Sequence, residues 1–102
     1  KVRIMNSRQR AYLKGLAMGY EPVFNIGKNS LTDEVIGAVK EALEGRELIK
    51  LSVLKNCADE PKIIAGELAL RTRSEVVQVI GKKIVLYKQA DKPENRKLVL
   101  PK

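Results

Sequence analysis

Apolar residues recur along the chain at two spacings, and each spacing predicts a kind of secondary structure. A repeat of three to four residues, typical of amphipathic helices, covers about residues 6–18, 31–45 and 62–72. Alternating or short continuous apolar runs, typical of strands, cover residues 23–26, 48–53, 76–80 and 83–87. The predicted order is therefore α-β-α-β-α-β-β, followed by a mostly polar surface tail whose last apolar residues dock back.

Cap residues set the boundaries of the first two helices. The first helix is expected to open at Asn6 or Ser7, and the second at Ser30 or Thr32, because these side chains accept hydrogen bonds from free helix N–H groups. Gly45 is expected to end the second helix, since glycine often follows the last helical turn.

The third helix and a hairpin complete the predicted topology. Asp59 is a candidate helix cap with Pro61 in the first turn, and Gly81-Lys82 has the sequence of a two-residue type II′ turn. Two successive strand-helix-strand units predict parallel neighbouring strands, and the hairpin adds one antiparallel strand. The sheet is therefore expected to be mixed.

Polar residues within the predicted strands indicate how the sheet is covered. Asn25, Lys50, Ser52 and Gln78 alternate with apolar residues. A parallel sheet with helices on both faces would show continuous apolar runs instead. The pattern predicts a two-layer α/β fold, an α+β arrangement with helices on one face of the sheet and a partly open second face.

Length and composition disfavour an enzyme. The 102 residues predict a single domain, with a core over about residues 6–88 and a C-terminal tail over 89–102. Histidine is absent, which removes Ser-His-Asp and Cys-His catalysis and histidine metal sites. The single Cys57 cannot form an internal disulfide, which suits a reducing, cytoplasmic setting. Acids near the second helix, such as Glu44 and Glu47, lack an obvious apolar pocket that would raise one pKa. No cofactor or metal is expected.

Positive charge is concentrated at both ends of the sequence. The chain has 20 Lys and Arg against 12 Asp and Glu, a net charge of +8. No acid occurs in residues 1–20, which contain Lys1, Arg3, Arg8, Arg10 and Lys14. Segregated positive charge is expected of a polyanion-binding protein whose cations converge on one side. A merely solvated basic face is the alternative. A membrane partner is disfavoured because no basic helix has a broad apolar face and no segment is apolar enough to span a bilayer.

Two turns have the features of a phosphate site. Gly27-Lys28-Asn29-Ser30 joins a strand to a helix, where backbone N–H groups and a lysine can hold phosphate oxygens. Gly81-Lys82-Lys83 places two cations at a hairpin tip. The structural alternatives are an ordinary capped loop and a hairpin kept soluble by lysines. The aromatic residues do not form the exposed pattern that base stacking on a sheet requires; they are Tyr12, Tyr20, Phe24 and Tyr87.

Four segments, in order, resemble the CRM domain family (chloroplast RNA splicing and ribosome maturation). They are residues 10–17 (RAYLKGLA), 22–32 (PVFNIGKNSLT), 47–50 (ELIK) and 77–87 (VQVIGKKIVLY). The match spans about residues 6–88, as in bacterial YhbY-like proteins that consist of one such domain.

This resemblance implies a fold like the C-terminal domain of translation initiation factor three, with a mixed four-stranded sheet. It also implies RNA binding, association with precursors of the large ribosomal subunit, and no catalysis. The G-x-x-G loop of the family, similar to that of KH domains, falls on Gly27 to Ser30, with Ser30 in place of the final glycine.

We therefore expect a monomeric, cytoplasmic protein that binds rRNA in large-subunit precursors and assists ribosome assembly, without a small-molecule substrate. The candidate RNA-binding residues are Arg8, Arg10, Lys14, Gly27, Lys28, Asn29, Ser30, Lys50, Arg73, Lys82 and Lys83. For Arg73, a structural role at a helix C terminus is the alternative. The alternative function is a protein-interaction module recruited to the ribosome by another protein, suggested by the open sheet face and Leu98-Val99-Leu100. A small hydrolase or transferase ranks last.

Overall fold

A computed structural model describes residues 5–101 of the chain. Its elements are α1 (Ser7–Ala17), β1 (Phe24–Ile26), α2 (Asp33–Arg46), β2 (Leu48–Val53), α3 (Pro61–Thr72), β3 (Glu75–Ile80) and β4 (Lys83–Tyr87), with a short 3-10 helix at Pro93–Asn95. The predicted order of elements is confirmed. Lys1 and Arg3 of the predicted N-terminal basic cluster lie outside the described residues.

The four strands form one mixed sheet in the order β1-β2-β4-β3, which confirms the predicted mixed four-stranded sheet. β1 and β2 are parallel, as expected of a strand-helix-strand unit. The second unit does not give parallel neighbours, and that prediction is wrong, because β4 lies between β2 and β3 and is antiparallel to both. The hairpin turn at Gly81, whose φ of 56° suits the first position of a type II′ turn, pairs β4 with β3 and leaves its other edge to β2.

Helices α2 and α3 cover one face of the sheet, as predicted. Alternate strand residues such as Ile49, Leu51 and Ile84 point into this layer and pack with Leu43 of α2 and Leu68 of α3. All five side chains are fully buried. Each contributes about 1.5–3 kcal/mol to folding through removal from water, so this layer is the main core.

Helix α1 lies on the opposite face, so the prediction that helices cover one face only is wrong. Leu13 and Ala17 of α1 pack against Leu48, Val85 and Tyr87, which alternate with the strand residues of the first layer. α1 therefore adds a partial third layer. The part of the second face that α1 does not cover carries polar strand side chains. This half of the face is open, as the alternation in the sequence indicated.

The caps of the first two helices follow the sequence signals. Asn6 and Gln9 form a capping box at α1, in which Gln9 N donates to Asn6 Oδ1 at 2.8 Å and Asn6 N donates to Gln9 Oε1 at 3.2 Å. Of the two candidates at α2, Thr32 is the cap, since its Oγ1 accepts the N–H of Val35 at 3.1 Å.

Two other boundary predictions are wrong. α2 continues through Gly45, and the left-handed residue past its end is Glu47, with a φ of 66°. A glycine is usual there, and Glu47 occupies the position because its side chain has long-range partners, described below. At α3 the N-cap is Glu60 and its side chain makes no capping bond, whereas Asp59 bonds to another loop.

The tail docks back onto the body, as predicted. Leu98 and Leu100 pack against the α1 side of the sheet, next to Leu13 and Tyr87. Val99, between them, is 85% exposed. The two leucines therefore complete the cover of the second face at one end of the sheet.

Candidate functional site

Three connections meet at one end of the sheet, which we call the loop end. They are the turn 27–30 after β1, the loop 54–60 after β2 and the hairpin turn 81–82. Backbone hydrogen bonds join them, since Leu54 N donates to Ile26 O at 2.8 Å and Val53 N donates to Lys82 O at 2.7 Å. The fold thus brings the two turns with phosphate-site features to the same end.

The turn 27–30 is held in place while its tip stays in solvent. Ser30 N donates to Gly27 O at 2.9 Å, and Ser30 Oγ donates to Asp59 Oδ2 at 2.7 Å. Ser30 has a φ of 52°, a left-handed conformation that glycine adopts more readily. Lys28 and Asn29 at the tip are exposed, and their backbone N–H groups make no hydrogen bond within residues 5–101.

Glycine at position 27 is not required by packing within the protein. A Cβ there would lie 3.5 Å from Asn56 Oδ1 and 3.6 Å from Leu54 Cδ1, which is ordinary contact. The φ of Gly27 also lies outside the left-handed region. Neither packing nor backbone conformation within the protein therefore requires glycine at position 27.

Each of the three connections contributes one exposed lysine to the loop end. These are Lys28, Lys55 and Lys82, and within residues 5–101 none of their side chains makes a hydrogen bond or an ion pair. Sequence reasoning missed Lys55, although it follows a strand and precedes a helix as Lys28 does. Three cations without protein partners are available to an anion.

A second cationic group lies on the open half of the sheet's second face. Lys50 and Lys83 come from the adjacent strands β2 and β4, and Lys83 Nζ donates to Ser52 Oγ at 3.1 Å. The strand register places Asn25 and Gln78 on the same face. None of the described Asp or Glu residues lies on this half of the sheet. Because Lys83 follows Lys82 directly, this surface is continuous with the loop end.

The cations of α1 have different surroundings. Arg10 is half-buried, and its Nη1 donates to the backbone oxygens of Val76 and Val77 at 2.6 and 2.9 Å, beside the irregularity in β3. A bulged strand leaves backbone groups without ladder partners, so Arg10 stabilises the strand. Lys14 is half-buried and Arg8 is exposed. Contact of these three residues with a ligand stays a prediction.

Arg73 lies far from the other candidates. It is the C-cap of α3, with a φ of 58°, and the six residues of β3, about 20 Å, separate it from the hairpin turn. Its neighbour Arg71 forms ion pairs with Asp33 at 3.6 Å and Glu67 at 3.7 Å. The structure therefore does not bring Arg73 to the loop end.

At the opposite end of the sheet, a buried glutamate holds the tail. We call this region, residues 44–47 and 88–98, the tail end. Glu47 is fully buried, and its carboxylate accepts backbone N–H bonds from Ala90 at 2.8 Å, Lys97 at 2.7 Å and Leu98 at 2.9 Å. Burial raises the pKa of Glu47, but the three N–H donors and the charge of Arg96 lower it, and the net shift is downward.

Glu44 binds the neighbouring part of the tail. Its carboxylate accepts the side-chain amide of Asn95 at 2.7 Å and the backbone N–H groups of Asp91 at 2.7 Å and Lys92 at 3.2 Å. The bond from Asn95, followed by that from Asp91, lowers the pKa of Glu44. Sequence reasoning missed this role and that of Glu47, because no local pattern marks a carboxylate whose partners lie 43 to 51 residues away.

The described residues offer no metal constellation, and the two carboxylates with shifted pKa values are not suited to proton transfer. Within residues 5–101, no group of three or more metal-ligating side chains is arranged to hold an ion. The lowered pKa values of Glu44 and Glu47 keep both carboxylates ionised at neutral pH, unlike those of a general acid. Cys57 is half-buried against the main core. In the part of the chain that the structure describes, no helix has the length and apolar character needed to cross a bilayer.

The chain is similar to known proteins over most of its length. The family model for the CRS1 / YhbY (CRM) domain matches residues 5–88. The Bacillus subtilis protein named Probable RNA-binding protein YqeI is 41% identical over 98 residues, which cover 96% of this chain and 100% of that protein. A Haemophilus influenzae protein named RNA-binding protein is 34% identical over 98 residues, covering 96% of each.

A solved structure has the same architecture. The solution structure of the hypothetical protein SAV1595 from Staphylococcus aureus matches with a TM-score of 0.75 and 40% sequence identity. The match covers 94% of this chain and 100% of that one. The four sequence segments that suggested a family all lie within the matched residues 5–88.

Proposed function

The chain belongs to the CRS1/YhbY (CRM) domain family, as the sequence segments suggested, and from this premise we propose that it binds RNA through the loop end and the open half of the sheet. Relatives that match it over nearly their full length are named RNA-binding proteins. The observation that carries the proposal is one continuous surface with five lysines. Lys28, Lys55 and Lys82 lie at the loop end, and Lys50 and Lys83 lie on the open sheet.

The loop end suits a sugar-phosphate backbone for two reasons. The free N–H groups of Lys28 and Asn29 can donate to phosphate oxygens, as at other turns that lead into helices. The missing side chain at Gly27 lets a backbone approach the turn closely. Flexible lysines then add charge without demanding a particular base. Binding should therefore depend strongly on salt and only weakly on sequence.

We further propose that the RNA is rRNA in precursors of the large ribosomal subunit. In this proposal the protein assists assembly as a cytoplasmic monomer and performs no catalysis. The family resemblance supports the choice of RNA. The absence of histidine and the lowered carboxylate pKa values support a role in binding rather than in catalysis.

The alternative, a protein-interaction module, loses one of its two supports. The tail residues Leu98 and Leu100, which suggested an apolar contact surface, pack within this protein, and only Val99 is exposed. The other support, the open sheet face, carries the lysines Lys50 and Lys83 beside the exposed apolar residue Ile80. The docked leucines and the two lysines favour RNA as the partner.

Crosslinking in growing cells, followed by sequencing of the attached RNA, tests the proposal. We expect the crosslinked RNA to be enriched in large-subunit rRNA and its unprocessed precursors. Enrichment in transfer or messenger RNA would overturn the rRNA assignment. A protein that crosslinks to no RNA, or that reaches ribosomal precursors only when a second protein is present, would overturn RNA binding itself.

A further inference from the structure

A cavity of about 460 Å³ opens where four parts of the chain meet. Its walls come from the connection between α1 and β1, including Tyr20, from the end of α2, from the start of β2, including Leu48, and from the tail. This volume falls within the range of about 300–1,000 Å³ that is typical of small-ligand sites. The cavity lies at the edge of the open sheet surface and shares only Lys50 with the binding surface described so far.

Three cations line this cavity without partners. Arg46 comes from the last turn of α2, Lys50 from β2 and Lys97 from the tail. Within residues 5–101 none of these side chains makes a hydrogen bond or an ion pair, and Glu21 is the one acid among the described residues that line the cavity. Like charges gathered in this way repel each other, so the arrangement favours a bound anion more than it favours folding.

The tail wall of the cavity is held firmly. The backbone N–H groups of Lys97 and Leu98 both donate to the buried carboxylate of Glu47, at 2.7 and 2.9 Å. These bonds fix the backbone from which the Lys97 side chain extends. Lys97, which is far from Arg46 and Lys50 in the sequence, is thus positioned next to them by the fully buried carboxylate of Glu47.

We propose that the cavity binds one unpaired nucleotide of an RNA strand, with the base against the Tyr20 ring and the phosphate near Arg46, Lys50 and Lys97. This inference rests on the proposed RNA binding. An aromatic ring can stack on any base, and Tyr20 is 36% exposed, so its ring is accessible. The cavity supplies a base contact that the loop end, built of lysines and backbone, does not have.

The position of Lys50 favours a nucleotide within a strand over a free nucleotide. Lys50 also lines a second cavity, of about 240 Å³, on the open half of the sheet together with Lys83 and Gln78. One lysine therefore joins the nucleotide cavity to the surface proposed to bind phosphates. A strand can occupy both places at once, whereas a free nucleotide would leave the second surface unused.

The inference is tested by comparing two RNAs with the same stem, a hairpin with an unpaired loop and a fully paired duplex, by fluorescence anisotropy. Tyr20→Leu removes the ring and keeps an apolar side chain. We expect it to weaken hairpin binding about 5- to 150-fold, which is the range for one base-aromatic stack, and to leave duplex binding unchanged. The matched control is Tyr12→Leu on α1, at 39% exposure, which should change neither affinity.

The outcomes separate this inference from the proposed function. Wild-type protein that binds neither RNA would overturn the proposed function. If the wild-type protein binds RNA and Tyr20→Leu has the same affinity, or loses affinity equally for both RNAs, the nucleotide cavity alone is overturned. Adenosine monophosphate that competes as strongly, per molecule, as the hairpin would overturn the assignment to an RNA strand.

Two further measurements do not depend on the fold of the tyrosine variant. A photoreactive uridine in the hairpin loop should crosslink to a wild-type peptide that contains Tyr20, and crosslinks only to other peptides would overturn the inference. Lys97→Gln should lower the slope of log affinity against log salt for the hairpin by about 0.7, the value for one single-stranded phosphate. Lys92→Gln, elsewhere in the exposed tail, should not alter that slope, and equal slopes for the two variants would count against the cavity.

Discussion

The loop end and the tail end contain the same types of charged residue, but the fold treats them in opposite ways. At the tail end the carboxylates of Glu44 and Glu47 are paired within the protein, while Arg46 and Lys97 line the cavity described above without a partner among residues 5–101. Glu47 and Glu44 bind backbone groups of the tail, and Lys88 Nζ lies 2.8 Å from Asp91 Oδ1. At the loop end Lys28 and Lys82 have no partner among residues 5–101. Carboxylates that stabilise the fold are thus found at the tail end, whereas the loop end contributes lysines without protein partners.

Burial explains the difference between the two ends. A carboxylate as enclosed as Glu47 needs hydrogen-bond donors, because an unpaired buried charge is strongly destabilising. An exposed lysine is solvated by water and costs little without a partner. The tail-end carboxylates are therefore expected to control stability, and the loop-end lysines to control binding. The following predictions test that division.

The largest expected effect is on stability, from Glu47→Ala at the tail end. The substitution leaves three tail N–H groups without their acceptor, so the free energy of unfolding should fall by about 3 kcal/mol or more in urea titrations. Glu41→Ala, at an exposed position of the same helix, is the control and should change it by less than about 0.5 kcal/mol. Equal stability of the two variants would contradict the anchoring role.

A smaller loss of stability is expected in acid. Glu44 and Glu47 have lowered pKa values when folded, so near their folded pKa values the unfolded chain binds more protons and stability rises with pH. Their contribution is complete above the ordinary pKa of 4.5 and is lost as pH falls through the folded pKa values. Urea unfolding between about pH 7 and pH 3 measures this. Glu47→Gln should flatten the profile, and an unaltered slope would refute the assignment.

Binding, not stability, should change when charge is removed at the loop end. The double variant Lys28→Ala/Lys82→Ala should bind every RNA tested more weakly, and the slope of log affinity against log salt should fall by about 1.5, since two phosphate contacts are lost. Lys40→Ala/Lys92→Ala is the control with the same net charge, because these exposed lysines line a cleft at the tail end with Glu41 and Glu44. Identical salt slopes for the two double variants would place the binding surface elsewhere.

The smallest effect is expected from Gly27→Ala. A Cβ fits there without clash, so stability should stay within about 0.5 kcal/mol, while RNA affinity should fall a few-fold because the methyl group separates the turn from the RNA backbone. Gly37→Ala, in open space on α2, should raise stability by up to about 1 kcal/mol through helix propensity and leave affinity unchanged. Unchanged affinity for Gly27→Ala would show that close approach at this turn is unnecessary.

Secondary structure was largely predictable because its signals are local. The bounds of β2 and β4 agree with the apolar patterns at 48–53 and 83–87, and Asn6 and Thr32 cap their helices through neighbouring N–H groups. The predicted end of α2 at Gly45 was wrong. The residue at the left-handed position is Glu47, whose hydrogen bonds to the tail outweigh the local preference for glycine. The place of β4 was also missed. The hairpin signal predicts that β4 pairs with β3, but no local signal predicts which strand pairs with the other edge of β4.

The candidate site was predictable only in part, for a related reason. The turns around Lys28 and Lys82 predict exposed lysines, and the structure exposes both at the loop end, while Lys50 is half-buried on the open face. Arg10 is also positively charged, but its side chain binds backbone oxygens of β3. Arg73 lies at the end of β3 that is far from the hairpin turn. No sequence pattern distinguishes these outcomes.

By itself, the sequence determined the order of helices and strands, the hairpin, the excess of positive charge and the family, since each of these depends on residues near one another or on composition. The tertiary structure alone decided which cations are left without partners, which strands are neighbours, and that Glu47 holds the tail. These depend on contacts between residues far apart in the chain, such as Arg10 and Val77, which are 67 positions apart. The physical reason is that a charged group is available to a ligand only when folding has placed no counter-charge or carbonyl within its reach.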